Sequence, residues 1–306
     1  MIEYYITKNR FIEKIDSPEK GCWINVVDPN RKEKLTLIRE LGILEEFVKS
    51  SLDRSENAHI DYDDDVNQTL FIIDCPHLVR TENATYNTYP LGIVICNEFI
   101  VSISLSENTE INEIINGKSR GINTNNPIQF FLHFMLKISQ KYLIYLQQID
   151  HYSTELSSRL RETMKNEELL SMLALEKSLI YFSTSLKSDE VTLKKLRRCR
   201  QFKLSEEDND LLDDVLIEID QANEMSHIYK DVLNGTMDTF SNIIANNLNF
   251  SMKDLTIITI SMEVPNMVFG FYGMNVKDLP MAVSWFPFIF SITLAFLVWF
   301  IVKRIR

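Results

Sequence analysis

From Asp238 to Asn275 one set of residues recurs every third or fourth position, Asp238, Ser241, Ala245, Asn249, Met252, Leu255 or Thr256, Thr259, Glu263, Asn266 and Gly270, ending at Gly273-Met274-Asn275, and beyond Leu255 it is polar or small. On a helix this spacing makes one stripe. Beyond Leu255 the other faces carry Ile257, Ile258, Ile260, Met267, Val268 and Phe271. Neutral oxygens arrayed along an apolar helix supply neither a nucleophile nor a base. What they offer is hydrogen-bond acceptors for water. A carboxylate such as Glu263 in a hydrocarbon layer costs about 2.5–3.5 kcal/mol unless it faces water or a partner. The stripe therefore reads as the lining of an aqueous path. Close helix packing through small residues accounts for Gly270 and Gly273, but poorly for Glu263 and Asn266. Pro265 frees a carbonyl one turn back, tolerable where that carbonyl meets water or protein.

The elements that must position this stripe are membrane spans. Leu255–Tyr272 and Trp285–Val302 are each just long enough to cross about 30 Å of hydrocarbon at ~1.5 Å per residue. Trp285 and Trp299 suit an interfacial belt. Two spans cannot enclose a pore, so transport requires an oligomer. Lys253 precedes the first span and Lys303, Arg304 and Arg306 follow the second, whereas the connecting loop holds only Lys277. The positive-inside rule then puts both termini in the cytosol. The N-terminal residues show no signal or transit peptide pattern.

Ahead of the hairpin the composition is that of a soluble body. The whole chain is 45 % hydrophobic and 25 % charged, with a net charge of −11. That acidity argues against nucleic acid as a partner. Cys22, Cys75, Cys96 and Cys199 lack CxxC spacing and read as free thiols in a reducing compartment. The five histidines are scattered, and no phosphate loop or nucleophile elbow occurs. An enzyme is not expected.

Strand-like runs at Trp23–Val27, Thr69–Asp74, Leu91–Cys96 and Phe99–Ser104, with a turn at Asn97-Glu98, predict an α+β cytosolic domain. Helical periodicity covers Leu35–Val48. From Ile128 the chain has neither Gly nor Pro until Gly235, and two helices are expected near 128–165 and 167–202. Ser205, followed by Glu206, Glu207 and Asp208, starts a third helix that runs to Tyr272. The expected partition is 1–125 cytosolic α/β domain, 126–204 helical hairpin, 205–254 stalk, 255–275 pore-lining span, 276–284 extracellular loop, 285–302 second span and 303–306 basic tail.

Phe271-Tyr272-Gly273-Met274-Asn275, closing one C-terminal span ahead of another, and Trp23-Ile24-Asn25-Val26-Val27-Asp28-Pro29 near the start resemble the CorA-type divalent-cation channel family. The resemblance covers the whole chain in architecture. It implies a funnel-shaped homopentamer in the cell (inner) membrane that moves hydrated Mg²⁺, often also Co²⁺ and Ni²⁺, down its gradient. It makes Gly273, Met274 and Asn275 the selectivity filter. Five Asn275 carbonyls would grip the water shell weakly enough to release it. Gly273 would let the backbone turn, Met274 would pack between subunits, and Asn275 also suits a left-handed helix cap. Asn266 and Thr259 would follow below, then Leu255 and Met252 as an apolar constriction, then Asn249 and Asp238 at the cytosolic end.

The family's regulatory aspartate falls on Asp214, beside Asp213, when the residues are counted back from the pore. Mg²⁺ there would hold subunits together against a neighbour's Asp61, Asp63, Asp64 or Asp65. The other reading of Asp213 and Asp214 is a solvated helix face. Two departures from the family stand out. The loop Val276-Lys277-Asp278-Leu279-Pro280 is less acidic than usual, and Glu263 replaces an uncharged residue. Glu263 either forms an intramembrane ring or points at a neighbouring helix. A Zn²⁺ transporter of the same superfamily and a membrane-anchored cation sensor are the alternatives.

Overall fold

The computed structural model describes residues 1–9, 11–79, 85–117, 121–163, 165–199, 201–274, 283 and 285–304, with Thr163 and Lys303 as backbone alone. They form two compact units, Met1–Thr236 and Met237–Arg306.

The first unit is built on a seven-stranded sheet. Its strands are β1 (Ile2–Lys8), β2 (Phe11–Ile15), β3 (Cys22–Val27), β4 (His59–Asp63), β5 (Gln68–Val79), β6 (Thr85–Ile95) and β7 (Phe99–Ser104), in the order β2-β1-β3-β7-β6-β5-β4. Only β3 and β7 pair in parallel; the register sets Trp23 against Ile100. The helices of this unit are α1 (Arg31–Arg39), α2 (Glu45–Ser51), α3 (Thr109–Ile115), α4 (Pro127–Thr163), α5 (Asn166–Leu196) and the start of α6 (Glu206–Tyr272).

Strand alternation assigns the two faces. On one, Cys22, Ile24, Val26, Leu70, Ile72, Val94, Val101 and Ile103 join Leu37, Phe47 and Val48 of α1 and α2 in one core. On the other, the rings of Trp23 and Phe71 meet Phe130 and Phe131 of α4, with centroids 5.1 and 4.3 Å apart. The sheet is thus covered by helices on both sides. The polar ends of this core are satisfied: Trp23 Nε1 donates to Ser102 Oγ at 2.9 Å, and Ser102 Oγ donates to Asn25 Oδ1 at 3.0 Å. Gly92 of β6 lies so close to α2 that an added Cβ would stand 1.9 Å from Ser51 Oγ.

The four expected strands are present, and three more join them. The periodic run Leu35–Val48 is two helices rather than one. Asn30 caps α1 through the amides of Lys32 and Glu33, in a reciprocal box with Glu33, and Gly42 at φ +68° breaks the path before α2. The second long helix ends at Leu196, earlier than expected. Its last turn tightens through Arg198 N to Lys195 O at 2.9 Å and Cys199 N to Leu196 O at 3.1 Å. The chain then turns to set Phe202 against Phe71, 5.9 Å between centroids. Ser205 caps α6 as expected: its Oγ accepts from Asp208 N at 3.1 Å, and Asp208 Oδ2 accepts from Ser205 N at 2.9 Å.

Asp74 lies two residues beyond the last β4–β5 pair, His59↔Ile72. Side chains from two helices meet its peptide instead. Asp189 Oδ1 accepts from Asp74 N at 3.0 Å, and Tyr142 donates to Asp74 O at 3.0 Å. Asp189 is buried, and its Oδ2 has no hydrogen-bond partner. Burial, and then the Asp74 carboxyl nearby, hold the Asp189 carboxyl well above the usual carboxylate range, against the pull of the Asp74 amide. The folded chain therefore holds this proton more tightly than the unfolded chain, whose aspartates titrate near ~3.9. Stability is lost as pH rises above that value toward the raised folded pKa. Asp189→Asn, which keeps an acceptor for the Asp74 amide, should stabilise the protein by about 1–3 kcal/mol at pH 8. The advantage should vanish near pH 4, as read by thermal melts across pH.

Candidate functional site

In the second unit, α6 continues from Met237 to Tyr272, and α7 spans Phe286–Arg304. Among the described residues, one helix, α6, is long and apolar enough to cross a membrane, and Phe286–Val302 is a shorter apolar helix. Side-chain hydroxyls along both helices bond back to their own backbones. Thr256 Oγ1 donates to Met252 O at 2.8 Å, Thr259 Oγ1 to Leu255 O at 2.9 Å and Ser261 Oγ to Ile257 O at 2.7 Å. On α7, Ser291 Oγ donates to Phe288 O at 2.9 Å. Each hydroxyl is thereby satisfied without a second helix, and its lone pairs stay free to accept.

Asp238, Asn249, Met252, Leu255, Thr259, Glu263, Asn266 and Gly270 are all exposed in the single chain. The residues of α6 that this chain covers lie elsewhere. Ile257 and Val268 are buried, and Ser261, Val264, Pro265 and Tyr272 are half-buried. At about 100° per residue the two sets are centred roughly 170° apart, on opposite sides of the helix. Tyr272, from the covered side, places its ring 6.5 Å from that of Phe286 on α7. The polar stripe is thus the side of α6 turned away from its own chain. At Gly270 an added Cβ would meet open space.

At the end of α6, Gly273 N donates to Phe269 O at 2.8 Å and Met274 N to Phe271 O at 3.4 Å. Gly273 lies in the turn that follows Tyr272, the last residue of α6, and it is not among the residues with positive φ. What its lack of a Cβ provides is clearance, since a Cβ would stand 3.0 Å from Phe269 O. Met274 is exposed. Asn275 lies outside the described residues, as does the loop at 276–280.

The acidic candidates are not gathered in one chain. Among the described residues no group of three or more His, Cys, Asp or Glu side chains could hold a metal ion. Asp63 caps the β4–β5 turn, its Oδ1 accepting from the amides of Asp65 and Val66 at 3.0 Å each. Asp61 Oδ1 accepts from Tyr62 N at 2.9 Å. Asp64 and Asp65 are exposed. Asp214 is exposed, while Asp213 forms an ion pair with Arg197. Sequence reasoning missed that partner. Its signal is the basic cluster Lys194-Lys195-Leu196-Arg197-Arg198, which neutralises the end of α5 and stands over the start of α6.

The sequence profile described as "CorA-like Mg2+ transporter protein" matches residues 18–304. The chain belongs to the CorA-like Mg²⁺ transporter family. The CorA-like match takes in both helices of the second unit and leaves out β1 and β2. One curated relative, the "Cobalt/magnesium transport protein CorA" of Methanocaldococcus jannaschii, is 29 % identical over 264 residues, which is 85 % of this chain and 81 % of the relative. The solved complete structure of the CorA magnesium transporter from Methanocaldococcus jannaschii superposes with a TM-score of 0.82 at 26 % identity, over 100 % of this chain and 96 % of that one. The full-length CmaX protein shares the fold at 15 % identity, with a TM-score of 0.71 over 99 % of this chain and 97 % of that one.

The Arg197–Asp213 pair is solvent-facing, with side chains 42 % and 58 % exposed. Arg197→Ala should therefore change stability by less than about 1 kcal/mol while releasing the Asp213 carboxylate. Chemical denaturation measures this. A loss above about 2 kcal/mol would make the pair structural.

Proposed function

We propose that the protein carries hydrated Mg²⁺, and with it Co²⁺ and Ni²⁺, passively across the cell (inner) membrane. It does so as a homopentamer with both termini in the cytoplasm. One observation carries this reading: in a chain of the CorA-like family, the polar stripe of α6 is exposed and lies opposite the face its own chain covers. A carboxylate and an amide at membrane depth need water or a partner, and five copies of α6 with their stripes turned inward supply both.

In this arrangement 205–254 is the stalk, 255–275 the pore-lining span and 285–302 an outer ring against lipid. The body is divided into 1–125 and 126–204, the loop 276–284 is extracellular, and 303–306 is a basic cytosolic tail. The Asn275 carbonyls, set by Gly273 and Met274, receive the ion at the outer mouth through its bound water. Asn266 and Thr259 accept from that water below, where the Thr259 hydroxyl proton is already committed to Leu255 O. Leu255 and Met252 form the apolar constriction that gates by dewetting. Asn249 and Asp238 meet the ion on the cytosolic side. The Glu263 carboxyls form a ring that faces the water of the pore and tunes ion choice.

Cytosolic Mg²⁺ closes the channel by binding between subunits at Asp214 and Asp213. Asp61, Asp63, Asp64 and Asp65 of a neighbour offer the second carboxylate. Because Arg197 competes for Asp213, Asp214 is the principal ligand.

Uptake into liposomes, followed with a Mg²⁺-sensitive dye, tests the reading. Asn275→Ala removes one acceptor per subunit, each worth about 1 kcal/mol, and should slow uptake at least ~10-fold. Glu263→Gln should alter ion selectivity while leaving flux. Asp213→Asn with Asp214→Asn should relieve inhibition by internal Mg²⁺. A folded pentamer passing none of Mg²⁺, Co²⁺ or Zn²⁺ would refute transport.

A further inference from the structure

The stripe of α6 does not account for the concavities of the first unit. Between α1 and α2 lies a cavity of about 540 Å³, within the range of about 300–1,000 Å³ that holds small ligands. It is built by two helical stripes. Arg31, Lys34, Leu35 and Ile38 come from α1, and Glu45, Val48, Lys49 and Leu52 from α2 and its cap; Asp53 and Arg54 complete the lining. Both stripes follow the three-and-four spacing of one helix face. In a chain of net charge −11, this lining holds two more cations than carboxylates.

The four cations are uncommitted. Among the described residues the ion pairs use the N-terminus, Lys14, His59, Lys137, Lys141, Arg159, Lys187, Lys194 and Arg197. Arg31, Lys34, Lys49 and Arg54 take part in none of them. All four are exposed at the cavity, whereas Leu35, Ile38, Val48 and Leu52 give it an apolar wall. Like charges brought together without counterions repel, and an anion relieves that repulsion. Guanidinium groups grip phosphate oxygens in pairs, and ammonium groups add point charge. Of the two carboxylates, Asp53 has Oδ1 engaged by Ser55 N at 2.9 Å; Glu45 is exposed and suits a ribose hydroxyl.

We infer that the groove between α1 and α2 binds a nucleoside di- or triphosphate, with Arg31, Lys34, Lys49 and Arg54 on the phosphates and the base against the apolar wall. The site is separate from the stripe of α6, and its occupancy is read without any ion flux.

The test is calorimetric titration of the purified full chain in detergent with Mg-ATP, ADP and inorganic tripolyphosphate, at low and physiological salt. Saturable ATP binding below about 1 mM is expected, weakening as salt rises. Lys34→Gln combined with Lys49→Gln should weaken it at least ~10-fold, with the melting temperature of the unliganded protein unchanged. Leu35→Asp should weaken ATP while sparing tripolyphosphate. Absence of saturable ATP binding, or equal affinity in the double variant, overturns the inference. Tripolyphosphate binding as tight as ATP overturns the role of the apolar wall.

Discussion

A polar side chain on a membrane-length helix has to find water or a partner, and the rest of this protein is arranged around that constraint. Hydroxyls meet it locally: Thr256, Thr259 and Ser261 bond to carbonyls one turn back. Glu263 and Asn266 need something outside the chain. Their side of α6 is turned away from the face that holds Ile257 and Val268. Pro265 adds to the demand, because a proline within the helix leaves the carbonyl of Ser261 without its usual amide.

The first unit answers the same demand by other means. Where the sheet runs out of ladder partners, Tyr142 and Asp189 reach in to bond the peptide of Asp74. Where an indole must be buried, Ser102 and Asn25 relay its hydrogen bond. Asp189 departs from this pattern, with one buried oxygen unpartnered. Buried polar groups of this kind fix which helix faces which strand, at a cost in stability.

Much of this was legible in the sequence, for identifiable reasons. Strands β3, β6 and β7 carry dense β-branched runs. The stripe from Asp238 to Gly270 repeats with helical spacing, and Ser205 with Asp208 is a recognisable cap. What escaped depends on partners distant in sequence. Strands β2 and β4 are short, mixed in polarity and defined by their pairing with β1 and β5. The break at Gly42 is hidden because Leu37 and Phe47 keep helical spacing across it, although they belong to separate helices. The pairing of Arg197 with Asp213 joins two helices across a loop, and no periodicity reports it. Gly273 was recognised by its motif, and the close approach of the Phe269 carbonyl to that position is a contact no periodicity reports.

The near-contact of Gly92 and Ser51 has an evolutionary consequence. A side chain at position 92 would collide with Ser51 Oγ at 1.9 Å and Ser51 Cβ at 2.4 Å, and would still approach its Cα at 3.3 Å. Ser51 is fully buried, and its hydroxyl donates to Phe47 O at 2.7 Å. The two positions cannot drift independently. A Cβ at position 92 would require α2 to move or residue 51 to lose its side chain, and the latter empties a buried site. What each of the two positions tolerates is therefore set by the residue at the other.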